Sequence, residues 1–151
     1  MNTQAPYHLH ASLGYQMTVA ARIQEKRLED QLKALGLTRI TWCILLAAGT
    51  EALSHPSEIA DFVGIDRTAT SRALRQMEKD GLIQRKTGQT DRRTTLVEVT
   101  DKGAALVEQA IPIARSNSRQ VEDKLTPEEV AEFRRILKKL REGEELALKT
   151  F

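Results

Sequence analysis

The sequence predicts a mainly α-helical fold with one small β-hairpin, an α+β arrangement. Three observations predict it. Apolar residues recur at three- and four-residue steps through most of the 151 residues. Two β-prone runs, residues 83–86 and 94–99, flank one polar loop holding Gly88, Asp91, Arg92 and Arg93. Between the periodic stretches stand residues that start or stop helices, among them Gly36, Gly49, Pro56, Gly64, Asp66, Gly81 and Pro127.

Composition narrows the class further. With 40% hydrophobic and 29% charged residues and few prolines or glycines, the composition is that of one compact domain, or one domain with extensions, and not that of a disordered chain. Aromatics make up only 4%, so the core must be aliphatic. A single cysteine cannot form an internal disulfide and no Cys/His cluster has zinc spacing, so no metal and no cofactor is expected. The first fourteen residues lack a basic start followed by an apolar core, and no apolar run approaches the roughly 20 residues of a membrane helix. A cytoplasmic protein without a membrane partner is expected.

Element by element, Leu9, Leu13, Met17, Ala20, Gln24, Leu28, Gln31 and Leu35 line one face of a long amphipathic helix ending near Gly36. Thr38 or Thr41 caps a second helix, residues 40–49, apolar nearly all round and therefore buried from several sides. After an extended piece at 52–54, Pro56 opens a short helix that presents Ile59, Ala60 and Val63 on one side. Gly64 and Ile65 turn the chain, and Asp66 caps the next helix. Helix, glycine-containing turn and helix in this order form a helix-turn-helix.

On the helix after Asp66, Ala69, Ala73, Leu74 and Met77 gather on the inner side, and Thr68, Ser71, Arg72, Arg75 and Lys79 on the outer. Arginine makes bidentate bonds to guanine N7 and O6, hydroxyls bond base edges or phosphate, and threonine offers a methyl to thymine. The hairpin that follows is placed as a wing, with Arg92 and Arg93 near its tip suited to a narrow minor groove. Asp91 is repelled by phosphate, so its expected task is to hold a neighbouring arginine through a charge-assisted bond. Between Asp66 and Arg93 the net charge is +4 against +2 for the whole chain, which concentrates the positive charge in this segment. Double-stranded DNA is the expected partner, although a solvated helix face and a charge-solubilised hairpin tip account for the same residues individually.

At the wing the sequence resembles the MarR family of bacterial transcriptional regulators. The stretch DRRTTLVEVT at 91–100 is similar to that family's wing signature. The likeness runs upstream through SEIADFVGIDRTATSRALRQMEKDGLIQR and downstream through TDKG at 100–103 and LTPEE at 125–129. Val99 and Met77 stand where the family commonly has leucine, both swaps of similar volume. The resemblance implies that the helix after Asp66 reads the major groove, with Thr68, Ser71, Arg72 and Arg75 nearest the bases and Arg67 at the flank. It implies that Arg93 enters the minor groove, steadied by Asp91, and that Arg92 touches at most phosphate.

Two further helices close the chain. Residues 102–124 carry Leu106, Val107, Ala110, Ile111, Ala114 and Val121 at helical spacing, with a bend expected at Pro112. Thr126, Pro127, Glu128 and Glu129 make a capping box for a last helix bearing Val130, Phe133, Ile136, Leu137 and Leu140. Neither stripe, nor that of the first helix, has an obvious cover within the chain, so a homodimer is inferred, as the resemblance also implies. The expected organisation is an N-terminal dimerisation helix at 1–36, a winged helix-turn-helix at 37–100 and C-terminal dimerisation helices at 101–151. Two readers on one axis would face half-sites about 34 to 36 Å apart on a pseudo-palindromic operator.

The resemblance further implies repression relieved by a small phenolic or aromatic effector, for which no residue here identifies a site. Rival readings are a cysteine-based redox sensor of the same fold and a winged-helix protein-association module without DNA binding. No catalytic residue is indicated, since glycine-rich phosphate loops and nucleophile–base spacings are missing. Cys43, inside TWCILLAAG, is read as a buried structural thiol. His8, His10 and His55 are read as solvated, and Trp42 as core packing or pocket wall.

Overall fold

The computed structural model describes residues 5–144. It comprises α1 (Leu13–Leu32), α2 (Arg39–Gly49), α3 (Pro56–Val63), α4 (Arg67–Lys79), β1 (Ile83–Thr87), β2 (Thr95–Val99), α5 (Asp101–Glu122) and α6 (Pro127–Arg141). The fold is thus mainly helical, with one two-stranded antiparallel hairpin.

Helix starts follow the short-range chemistry of the sequence. Both threonines proposed as caps for α2 take part: Thr41 N–H donates to the Thr38 hydroxyl at 3.1 Å while Thr38 N–H donates to the Thr41 hydroxyl at 2.9 Å. Thr126 and Glu129 make the same reciprocal arrangement at the start of α6. Gly36 and Gly64 sit at φ 71° and 76°, the left-handed region that lets α1's trailing turn and α3 end abruptly. The predicted single helix from Leu9 to Gly36 is corrected at both ends. Leu9–Ala11 and Lys33–Leu35 are single 3-10 turns, set off at the start by extended Ser12. Side-chain periodicity does not distinguish the tighter winding over so few residues.

The core is one aliphatic cluster centred on α2. Ile44, Leu45 and Ala47 are fully buried and Trp42 nearly so, against Leu32, Leu37, Ile59, Leu74, Met77, Leu82, Ile83, Val97 and Ala110. Each fully buried Leu or Ile side chain contributes about 1.5 to 3 kcal/mol of transfer free energy. The apolar circumference of α2 therefore has the cover it requires, and Trp42 is a core residue.

The wing packs onto this core through its first and third layers. Ile83 pairs with Val99 and Arg85 with Val97 in the ladder, which puts Ile83 and Val97 inside and leaves the rest of β1 outside. Residues 52–54 run beside β2, where Val97 N–H donates to Ser54 O at 2.8 Å. At the base of the wing the Thr100 hydroxyl donates to Gly81 O at 2.6 Å and accepts from Gly103 N–H at 3.1 Å, capping α5. Lys102 Nζ adds a bond to Asp80 O at 2.7 Å.

α5 runs continuously past exposed Pro112 and packs along α1. Asn117 is buried there and its amide donates to the Gln24 carbonyl groups at 3.2 and 3.3 Å. α6 buries none of its residues, although Arg134 reaches Glu122 of α5 at 2.7 Å. Phe133, Ile136, Leu137 and Leu140 remain between 38% and 47% exposed, and Leu13, Met17 and Ile23 of α1 are exposed as well.

Candidate nucleic-acid interface

The site is built on α4. Asp66 is extended, and its Oδ1 accepts from Ala69 N–H at 2.7 Å, satisfying an amide that the first turn otherwise leaves unpaired. Leu74 and Met77 anchor the inner face. The inner stripe gains one buried position over expectation, Thr70, while Ala69 and Ala73 are only half-buried. Burial of that threonine is permitted because its hydroxyl donates to Asp66 O at 2.9 Å.

Thr68, Arg72, Arg75 and Lys79 are exposed and lie along one stripe of α4, with Arg67 and Ser71 beside it. Arg75 Nε donates to Ser71 O at 3.3 Å, which leans the guanidinium back along the helix. A cleft of about 400 Å³ opens between α3, α4 and the wing, and Ser57, Arg67, Ser71, Arg85, Thr94 and Thr95 line it. The structure therefore brings Arg67 and Ser71 together with the root of the wing. Ser57 and Thr95 add hydroxyls that the sequence reading did not single out; nothing in one-dimensional spacing brings α3's first turn to β2.

At the wing tip Asp91 holds the neighbouring arginine, as expected, and does so through the arginine's backbone. Its Oδ1 accepts the backbone amide of Arg93 at 2.9 Å and not a guanidinium, a two-residue side-chain turn of the kind aspartate forms readily. Thr94 N–H donates to Asp91 O at 3.0 Å and Gly88 N–H to Thr94 O at 2.7 Å, closing the loop. A Cβ on Gly88 would lie 2.8 Å from Asp91 O, so this close backbone approach needs glycine. Arg92 and Arg93 are both exposed.

The charge count of the segment also resolves into two groups. Arg85 is paired with Glu78 at 2.5 Å and Lys86 with Glu98 at 2.5 Å. Among the described residues Arg67, Arg72, Arg75, Lys79, Arg92 and Arg93 make no ion pair, so the uncompensated cations are those on the outer face of α4 and the wing tip. Sequence alone counted all eight alike, because the pairing depends on how the strand folds back on the helix.

Cys43 is half-buried against the core, more accessible than the buried thiol expected; burial pushes its pKa up, opposed by the charge of Arg39. A protonated thiol is a poor target for oxidants. His8, His10 and His55 are exposed; His10 packs edge-on to Tyr15 and His55 Nδ1 lies 3.2 Å from Glu58. Among the described residues no group of His, Cys, Asp or Glu is arranged to hold a metal. No single described helix is long and apolar enough to cross a membrane.

Residues 35–94, the span from the start of the core through the wing tip, match the sequence model described as the MarR family. Over that span, the helix-turn-helix and the wing, the chain matches the MarR family. The matched span is the winged helix-turn-helix unit by which that family of transcriptional regulators is defined. Solved MarR-type structures share the whole architecture. A mutant MarR from Escherichia coli complexed with operator DNA superposes with a TM-score of 0.81 at 24% identity, covering 91% of this chain and 99% of that one. Sco3205, a MarR family regulator from Streptomyces coelicolor in complex with DNA, gives 0.80 at 25% identity, with 95% and 92% covered. BpsR from Bordetella bronchiseptica, whose DNA binding is regulated by 6-hydroxynicotinic acid, gives 0.83 at 22% identity, with 90% and 97% covered.

Proposed function

We propose that this chain is a MarR-type regulator, a homodimeric repressor that binds a pseudo-palindromic operator and is released by a small aromatic or phenolic ligand. The observation that carries the DNA-reading part is the segregation of charge. Cations on the wing's strands are neutralised by carboxylates, while those of α4's outer face and the wing tip are left for a polyanion.

In this reading Thr68, Ser71, Arg72 and Arg75 meet base edges in the major groove, and Arg67 binds the flanking backbone. Arg93 enters the minor groove, with Asp91 fixing its backbone and Arg92 on phosphate. Residues 37–100 form the reading unit, and the helices at 1–36 and 101–151 join two copies. The exposed apolar residues of α1 and α6 support that pairing, since burying them is worth more than leaving them in water. An effector shifts the balance only by the free energy it gains from preferring one separation of the two readers. The aromatic acid that regulates BpsR supports the choice of ligand class.

The test is selection of bound duplexes from a random pool, followed by titration at two salt concentrations. A dimer covering about 6 to 10 phosphates loses roughly 10³- to 10⁵-fold in affinity between 50 and 200 mM salt. A recovered site without twofold symmetry, or unchanged affinity in both Arg75→Ala and Arg93→Ala, would overturn the assignment.

A further inference from the structure

The last turn of α4 grips the first strand of the wing. Glu78 Oε2 accepts from Arg85 Nε at 2.9 Å and from Arg85 Nη2 at 2.5 Å, while Oε1 accepts from the Arg85 backbone amide at 3.3 Å. The two residues are separated by the turn at Asp80 and Gly81 and by buried Leu82 and Ile83, so this bond set spans the joint between reading helix and hairpin. We propose that Glu78 is a positioning residue for DNA reading: it fixes the wing relative to α4 through Arg85, which serves as an anchor and not as a DNA contact.

Geometry supports the anchor over the contact. A guanidinium engaged edge-on by one carboxylate oxygen, with the other oxygen holding the amide of the same residue, restrains both side chain and strand. Arg85 and Glu78 side chains are 33% and 37% exposed, so the pair is only partly open to solvent. The hydrogen bond from Arg85 holds the Glu78 carboxyl below its ordinary value, against the opposing effect of desolvation, so the joint is ionised at neutral pH. Across the hairpin Glu98 engages Lys86, which leaves β1 without a free cation to offer DNA. Yet Arg85 lines the cleft between α3, α4 and the wing, where a DNA backbone would pass, and a phosphate contact is the competing role.

The two roles predict opposite effects of the same change. This inference rests on the DNA-reading function above, and the selected operator is the probe. If Arg85 is an anchor, Glu78→Gln lowers operator affinity by about 3- to 10-fold, because the docked wing becomes a smaller fraction of the population. The slope of log affinity against log salt stays at the wild-type value, and protection is lost at the outer, minor-groove edges of each half-site. If Arg85 is a phosphate contact restrained by Glu78, the same change raises affinity and steepens the slope by about 0.9 per reader.

Arg85→Lys supplies a second reading that does not depend on Glu78. Lysine replaces a phosphate contact well but cannot reproduce the fork, so the anchor predicts a loss matching Glu78→Gln. The reversed pair, Glu78→Arg with Arg85→Glu, should recover most of the affinity as an anchor and none as a contact. Circular dichroism melts check that each variant is folded. Wild-type-like or increased affinity in Glu78→Gln and Arg85→Lys overturns the anchor while the DNA reading stands. A wild-type protein that selects no duplex overturns both.

Discussion

The Asp91 carboxylate accepts the backbone amide of Arg93 at 2.9 Å and leaves the Arg93 guanidinium to solvent. An acidic side chain at the tip of a DNA-facing hairpin is thereby a structural element of the loop. Asparagine offers the same acceptor without the charge. Asp91→Asn should keep operator affinity or raise it slightly at low salt by removing phosphate repulsion, whereas Asp91→Ala should lower it several-fold by loosening the tip. Gel-shift titrations of the two variants side by side distinguish the loop role from a charge role.

A Cβ at Gly103 would meet the Leu82 carbonyl oxygen at 2.2 Å and a Val99 methyl at 2.8 Å, because the first turn of α5 is pressed against the root of the wing. Gly103→Ala should therefore destabilise the fold by about 1 to 3 kcal/mol despite alanine's better helix propensity. Urea unfolding measures this directly. A neutral or stabilised variant would show that the junction is looser than described.

Leu140 is 47% exposed on α6 and does not line the groove between α1, α5 and α6, so its replacement leaves the protomer's own packing intact. If α6 pairs two copies, Leu140→Glu places a charge in that contact and should weaken dimerisation by about 10- to 100-fold. Sedimentation over a dilution series reports it. Unaltered self-association would remove α6 from the dimer contact.

Burial raises the Cys43 pKa above its ordinary value of 9.0. The thiol should react with iodoacetamide more slowly in the native protein at pH 7 than in the chain unfolded by urea, since the thiolate is the nucleophile. The linkage sign follows: a folded-state pKa raised above the unfolded one gives stability present below the unfolded value and lost as pH climbs through the folded value. Alkaline melts above pH 9 should thus show a decline that Cys43→Ser reduces. Rapid labelling at neutral pH would revive a redox role.

Features governed by neighbours in sequence were legible. The Asp66 cap, a threonine cap on α2, the capping box at Thr126, the turn at Gly64 and the apolar surround of α2 all follow from spacings of four residues or fewer, where propensity and hydrogen bonding act. The two faces of α4 could be drawn from its period alone, apart from Thr70 on the inner side, whose hydroxyl finds a backbone partner that makes burial tolerable. The Glu78–Arg85 joint and the hydroxyls of Ser57 and Thr95 were not legible. Each depends on which segment the chain lays alongside another, and many registers share the same residue pattern.

One hydroxyl closes the joint beneath the hairpin. Because Thr100 binds Gly81 on one side and Gly103 on the other, the end of α4's turn, the foot of the wing and the start of α5 are tied to one another. A rotation of α5 would therefore be felt at the foot of the hairpin, and the Glu78–Arg85 bonds above it would decide how much of that turn the wing follows.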